Sequence, residues 1–147
     1  MSEITTAVAP RQFTMSASVL GGAVAIAGGA FFGTLCVNLS VWLLMARGMP
    51  AEQAYAVLAS SGFTALTSLS VFLAFLSGVW GGYVSAQYGG TRVMLQAFVA
   101  SLLPILFSLV MYLGPSSQPG PPWYVAYTFI GPVVASLVGA AFRGTRI

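Results

Sequence analysis

The fold this sequence predicts is an all-α integral membrane protein: four transmembrane helices in a compact bundle, with both termini in the cytoplasm. Three observations predict it. The first is the balance of side chains. Of 147 residues, 58% are hydrophobic and 5% charged, whereas a soluble domain carries about a quarter charged residues. So few charges cannot cover a water-facing surface, which leaves lipid as the solvent. The second is spacing. Apolar stretches of about 20 residues or more, each long enough to cross a hydrocarbon core of ~30 Å, alternate with short connections rich in Gly, Pro or Arg. The third is that each stretch carries a face of small side chains, and small faces let helix backbones approach closely in lipid.

Residues 1–16 read as a cytoplasmic N-terminal segment, with Arg11 the only base before the first apolar run. A cleaved signal peptide has an apolar core of about 7–15 residues. The run from Ala17 to Ala46 is about twice as long, so it is expected to stay as the first span (17–46) of a membrane domain covering 17–142. Gly22, Ala25, Gly29, Gly33, Cys36 and Ser40 line one face of it, and Gly29 with Gly33 forms a GxxxG pair. Asn38 is the strongly polar residue of this span. An amide in hydrocarbon needs a hydrogen-bond partner, so Asn38 is a candidate buried polar contact. Cys36 has no second cysteine to pair with and is expected to pack as a small apolar residue.

A short turn, Arg47 to Met49, leads into the second span, 51–88. Pro50 suits the first helical position, and Glu52 falls in the first turn, where the helix dipole favours an anion. Ser60, Thr64, Thr67, Val71, Ala74, Gly78, Gly81 and Ser85 form a seam whose steps alternate between four and three. That is the heptad rhythm of a left-handed helix pair. The seam is expected to pack antiparallel on the small face of the first span, its neighbour in sequence. One helix over this whole stretch would measure about 60 Å at 1.5 Å per residue, about twice the hydrocarbon thickness. Its first part, to Ser61, is therefore expected to project, with Gly62 a place to bend.

Gly89 and Gly90 are expected to end that helix in the manner usual for glycine. The third span, 93–113, has Pro104 at its middle, a residue tolerated there as a kink. Ala97, Ser101, Pro104 and Ser108 make its small face, and Gln96 is placed at headgroup level. The uncharged loop GPSSQPGPP cannot be helical. The fourth span, 123–142, begins with the aromatic Trp123, Tyr124 and Tyr127, as at a membrane interface. Gly131, Ala135 and Gly139 stand at i, i+4 and i+8, and Pro132 is a second kink. Residues 143–147 form a short basic cytoplasmic tail.

The charge pattern excludes several functions. The net charge is +3 from five Arg, with no Lys and no His, too sparse for the phosphate contacts that nucleic-acid binding needs. Arg11, Arg92, Arg143 and Arg146 fall on one side of four spans and Arg47 on the other. By the positive-inside rule both termini are cytoplasmic, and the setting is a bacterial inner membrane. Trp42, Tyr55, Tyr112, Trp123 and Tyr124 then form one aromatic belt, and Trp80, Tyr83 and Tyr88 the other. All seven charged residues lie at or beyond helix ends, so the acids and bases that mark proton relays inside membranes are missing. A metal site wants clustered His, Cys or carboxylates, and a serine nucleophile wants a nearby base. The chain is expected to be neither an enzyme nor a cofactor protein. The expected role is an accessory or scaffolding subunit of a larger membrane complex, with the lipid bilayer and partner subunits or its own copies as neighbours. Two other readings stay open. One is a homo-oligomeric pore or permease for a small neutral solute, from the Ser/Thr seam, Asn38 and the prolines. The other is a holin or immunity-type membrane protein, from size and span number.

Overall fold

The structure, a computed structural model, describes residues 13–60, 65–114 and 122–144, and only the backbone of 59, 60, 65, 67, 122 and 144. These residues form five helices and, among them, no strand: α1 Met15–Ala46, α2 Ala51–Ser60, α3 Ala65–Tyr88, α4 Val93–Tyr112 and α5 Pro122–Gly144. Four of them, α1, α3, α4 and α5, are long and apolar enough to span a membrane.

The stretch expected to be one helix over 51–88 is helical on both sides of residues 61–64, which lie outside the described residues together with the expected bend at Gly62. The 24 residues of α3 already exceed the ~20 needed to cross hydrocarbon. α2 lies against α1 with Ala54 fully buried. The turn between α1 and α2 has a defined cause. Gly48 adopts φ +89°, its N–H donates to the Met45 carbonyl at 2.9 Å, and the Met49 N–H donates to Leu44 at 3.2 Å. This pair of bonds closes a helix end when the following residue is left-handed, a conformation glycine adopts without steric penalty. Pro50 sits just before α2 rather than within it, and its carbonyl accepts the Ala54 N–H at 3.0 Å.

The helices pack in a rhombus. α1 packs most extensively on α3; α3 also packs on α5; α4 touches α1, α3 and α5. Among the described residues α1 and α5 do not touch. α3 and α4 therefore form the short diagonal, and α1 and α5 stand at the far corners. Glycine sets the separations. A Cβ at Gly81 would strike the Gly21 carbonyl of α1, one at Gly82 the Ser136 carbonyl of α5, and one at Gly139 the Val79 carbonyl of α3. The first contact, taken with Gly33 beside Ser70, makes α1 and α3 antiparallel neighbours; Tyr127 bonded to the Val71 carbonyl and Arg143 to the Ala86 carbonyl align α3 and α5 in parallel.

Burial is uneven along the axis. Ala54 of α2 is buried at one end, but most of the deeply buried residues cluster toward the other, among them Ala17, Ser18, Ser85, Ala86, Ala97 and Ala140. We call this the Arg143 end and the opposite one the Arg47 end. The core here is built of alanine and serine, while Phe31, Trp80 and Val110 point outward at 64, 63 and 69% exposure. Small inside and large outside is the arrangement expected when the surroundings are apolar. At the Arg47 end α1 outruns its neighbours. Gly22 meets Ala100 and Leu103 of α4, so Tyr112 at the end of α4 stands level with about Phe32 at 1.5 Å per residue. By the same rise, Val37 to Ala46 continues for about 15 Å, accompanied by α2.

Candidate functional site

Two features stand out between the helices: a polar knot at the Arg143 end and a cavity in the other half. The knot is centred on Gln96 of α4, which is 0% exposed. Its Oε1 accepts the Thr14 N–H at 3.1 Å, and its Nε2 donates to the Thr14 carbonyl and to the Ser18 hydroxyl, the latter at 2.8 Å. Ser18 of α1 and Ser85 of α3 both donate to the Gln96 main-chain carbonyl, at 3.2 and 3.1 Å. One residue of α4 thus ties together α1 and α3 and caps the first turn of α1, whose end groups have no intrahelical partner. Gly89 makes room for it: a Cβ there would lie 2.5 Å from the Gln96 side chain. Nearby, Arg143 Nη1 donates to the Ala86 carbonyl in the last turn of α3, where a cation complements the helix dipole.

The cavity measures about 210 Å³ and has walls from α1, α3, α4 and α5. Both helix-interior prolines, Pro104 and Pro132, line it. A proline in a helix removes one hydrogen bond; here both prolines border the same space. The walls are mostly apolar, with Phe75 and Phe107 among them. Five hydroxyl residues also line it: Ser108, Tyr124, Tyr127, Thr128 and Ser136. Tyr127 donates to the Val71 carbonyl at 2.7 Å and Thr128 to the Tyr124 carbonyl at 2.8 Å. Ser108 and Ser136 make no hydrogen bond among the described residues, although Ser136 is only 2% exposed.

Of the residues the sequence singled out, Gly29, Gly33, Ala74, Gly81 and Ser85 do lie in the α1–α3 contact. Gly22 faces α4, and Gly78 faces Ala135 of α5, not α1. Ala135 and Gly139 pack on α3, but the nearest neighbour of Gly131 is Tyr127 of its own helix. Ser60, Thr64 and Thr67 fall outside the described side chains. Cys36 is buried as expected of a small apolar residue. Asn38 is exposed instead of buried, because it stands on the side of α1 opposite the buried Cys36 and Ser40. Gln96, placed by its sequence position at headgroup level, is buried between helices in the first turn of α4. Gly89 serves as space for Gln96 rather than as a left-handed helix end, since Gly48 is the glycine with positive φ among the described residues. Gly21, Gly28 and Gly82, which the sequence reading passed over, are as tightly packed as those it named.

Among the described residues no three of His, Cys, Asp and Glu come together. No protein-family model, curated protein or solved structure matches the chain.

Proposed function

We propose that the protein is an accessory or scaffolding subunit of a larger complex in a bacterial inner membrane, a compact four-span bundle with both termini cytoplasmic. One observation carries this reading: the projecting end of α1. Val37, Leu39, Trp42, Leu43 and Met45 are exposed there, Trp42 at 64%. This segment runs past the level at which α4 ends, beside α2 with its exposed Glu52 and Gln53. Exposed apolar patches on a segment leaving the membrane mark interaction surfaces, and a second membrane protein would cover this one.

The test is purification in mild detergent through an affinity tag. Wild type is expected to bring down a distinct partner in fixed ratio. Trp42→Glu with Leu43→Glu is expected to lose that partner while melting as wild type does, since exposed changes usually stay within about 0.5 kcal/mol. A lone monomer from wild-type membranes would refute the reading. A stable homo-oligomer would favour the pore or permease, whose support is the uncharged cavity at the two prolines. Against a path through one chain stands the opposite end, filled by Gln96 and its serines.

Orientation has its own test. Arg92 and Arg143 lie at the same end of the structure and Arg47 at the other. A reporter active only in the cytoplasm should work when fused after Ile147; activity of a periplasmic reporter at that point would reverse the topology.

A further inference from the structure

We propose that the cavity is a binding site for a neutral, single-ring molecule carrying a hydrogen-bond acceptor. Size sets the first limit. An apolar cavity of about 150 Å³ holds benzene, so about 210 Å³ takes one ring with a small substituent. Charge sets the second: none of the lining residues is ionised at neutral pH, and an unpaired ion in such a space would carry a prohibitive desolvation cost. The walls set the third. Phe75, Phe107 and Tyr127 offer ring faces and edges, and Pro104 and Pro132 offer flat apolar surface.

The hydroxyls decide the polar part. Tyr127 and Thr128 have already given their protons to main-chain carbonyls. Ser136 and Ser108 have not, and Ser136 is 98% removed from the surface, bordering the cavity. No buried side-chain oxygen among the described residues lacks a partner, so these two hydroxyls are open to what enters the cavity. A hydroxyl can donate one hydrogen bond, and a ketone or ether oxygen on the ligand would accept it. The cavity lies between α1 and α5, which do not touch among the described residues.

The experiment compares two probes of the same shape. 4-Fluoroacetophenone carries a carbonyl; 4-fluoro-α-methylstyrene carries a CH₂ in its place. Each is titrated into the protein in nanodiscs and followed by fluorine NMR, with empty nanodiscs as reference. Both are expected to show saturable broadening that depends on the protein, the ketone binding about tenfold more tightly, or ~1.4 kcal/mol. With Ser108 and Ser136 both changed to Ala, the ketone should lose its advantage while the alkene binds as before. Ala74→Phe, which fills the space, should abolish binding of both. If Ala74→Phe cannot be purified, displacement of the fluorinated ketone by excess acetophenone from wild type replaces it. Absence of saturable broadening, equal affinity for the two probes, or a ketone advantage that survives loss of both serines would each overturn the proposal. So would binding that persists in Ala74→Phe, or a failure of displacement.

Discussion

Gly139→Ala is expected to destabilise the fold more than any other single added methyl group. A Cβ at this position would fall on the Val79 carbonyl and lie 2.7 Å from the Tyr83 nitrogen. Both neighbours are main chain, so no side chain can rotate out of the way. α3 and α5 would have to separate along the contact that also holds Gly82 against Ser136 and Gly78 against Ala135. Overpacking costs typically ~1–3 kcal/mol and occasionally more, and a main-chain collision belongs at the upper end. Gly33→Ala is the control. Its Cβ would sit 3.7 Å from the Ser70 hydroxyl, an ordinary contact, and alanine gains up to ~1 kcal/mol of helix propensity over glycine. Thermal unfolding of the two variants in one detergent decides the matter. Equal melting points would mean that the α3–α5 contact is looser than the structure has it.

The number of long apolar helices was legible because composition and spacing alone decide it; seven charges at known positions leave few ways to divide the chain. Which helix meets which was only partly legible. Gly21 and Gly22 are adjacent, as are Gly28 and Gly29, so α1 offers two small faces about 100° apart at ~3.6 residues per turn. Gly21 and Gly28 take α3, while Gly22 takes α4. In α3 the same doubling at Gly81 and Gly82 serves α1 and α5 in turn. Helices that are apolar on every side have no polar face to orient them, so a pattern of small residues shows that contacts exist but leaves the partner undetermined. This is how Gly78 came to be assigned to the wrong neighbour. Gln96 was missed for a different reason. A polar residue near the start of a span suits the interface as well as the interior. The signal that separates them was present: Gln96 stands four residues before Ala100 and five before Ser101, both buried. A glutamine sharing a face with small residues points into the protein. The cavity was not legible, because empty space depends on how the helices around it pack in three dimensions.

Gln96→Met is expected to cost about 2 kcal/mol or more, and its partners show why. Methionine matches glutamine in length and flexibility, so the space stays filled while the amide is lost. The Thr14 N–H and carbonyl and the Ser18 hydroxyl each lose a partner, at ~0.5–1.5 kcal/mol net per bond; the Thr14 carbonyl keeps the Ser18 N–H and the Ser18 hydroxyl keeps the Gln96 carbonyl. Pairing this change with a serine substitution separates the side chain's role from the backbone's. Ser18 bonds the Gln96 amide as well as its carbonyl. Ser18→Ala and Gln96→Met together should therefore cost less than the sum of the two, by an interaction energy of about 0.5–3 kcal/mol. Ser85 bonds only the main-chain carbonyl, which Gln96→Met leaves in place. Ser85→Ala should thus add to Gln96→Met within ~0.5 kcal/mol, as independent changes do. Denaturation of the single and double variants supplies both cycles. Hydrogen exchange supplies a local check, because α1 loses its cap in Gln96→Met and the amides of residues 14–18 should open faster. If both double variants prove additive and that first turn stays protected, the amide of Gln96 is not what fastens α1 to α4.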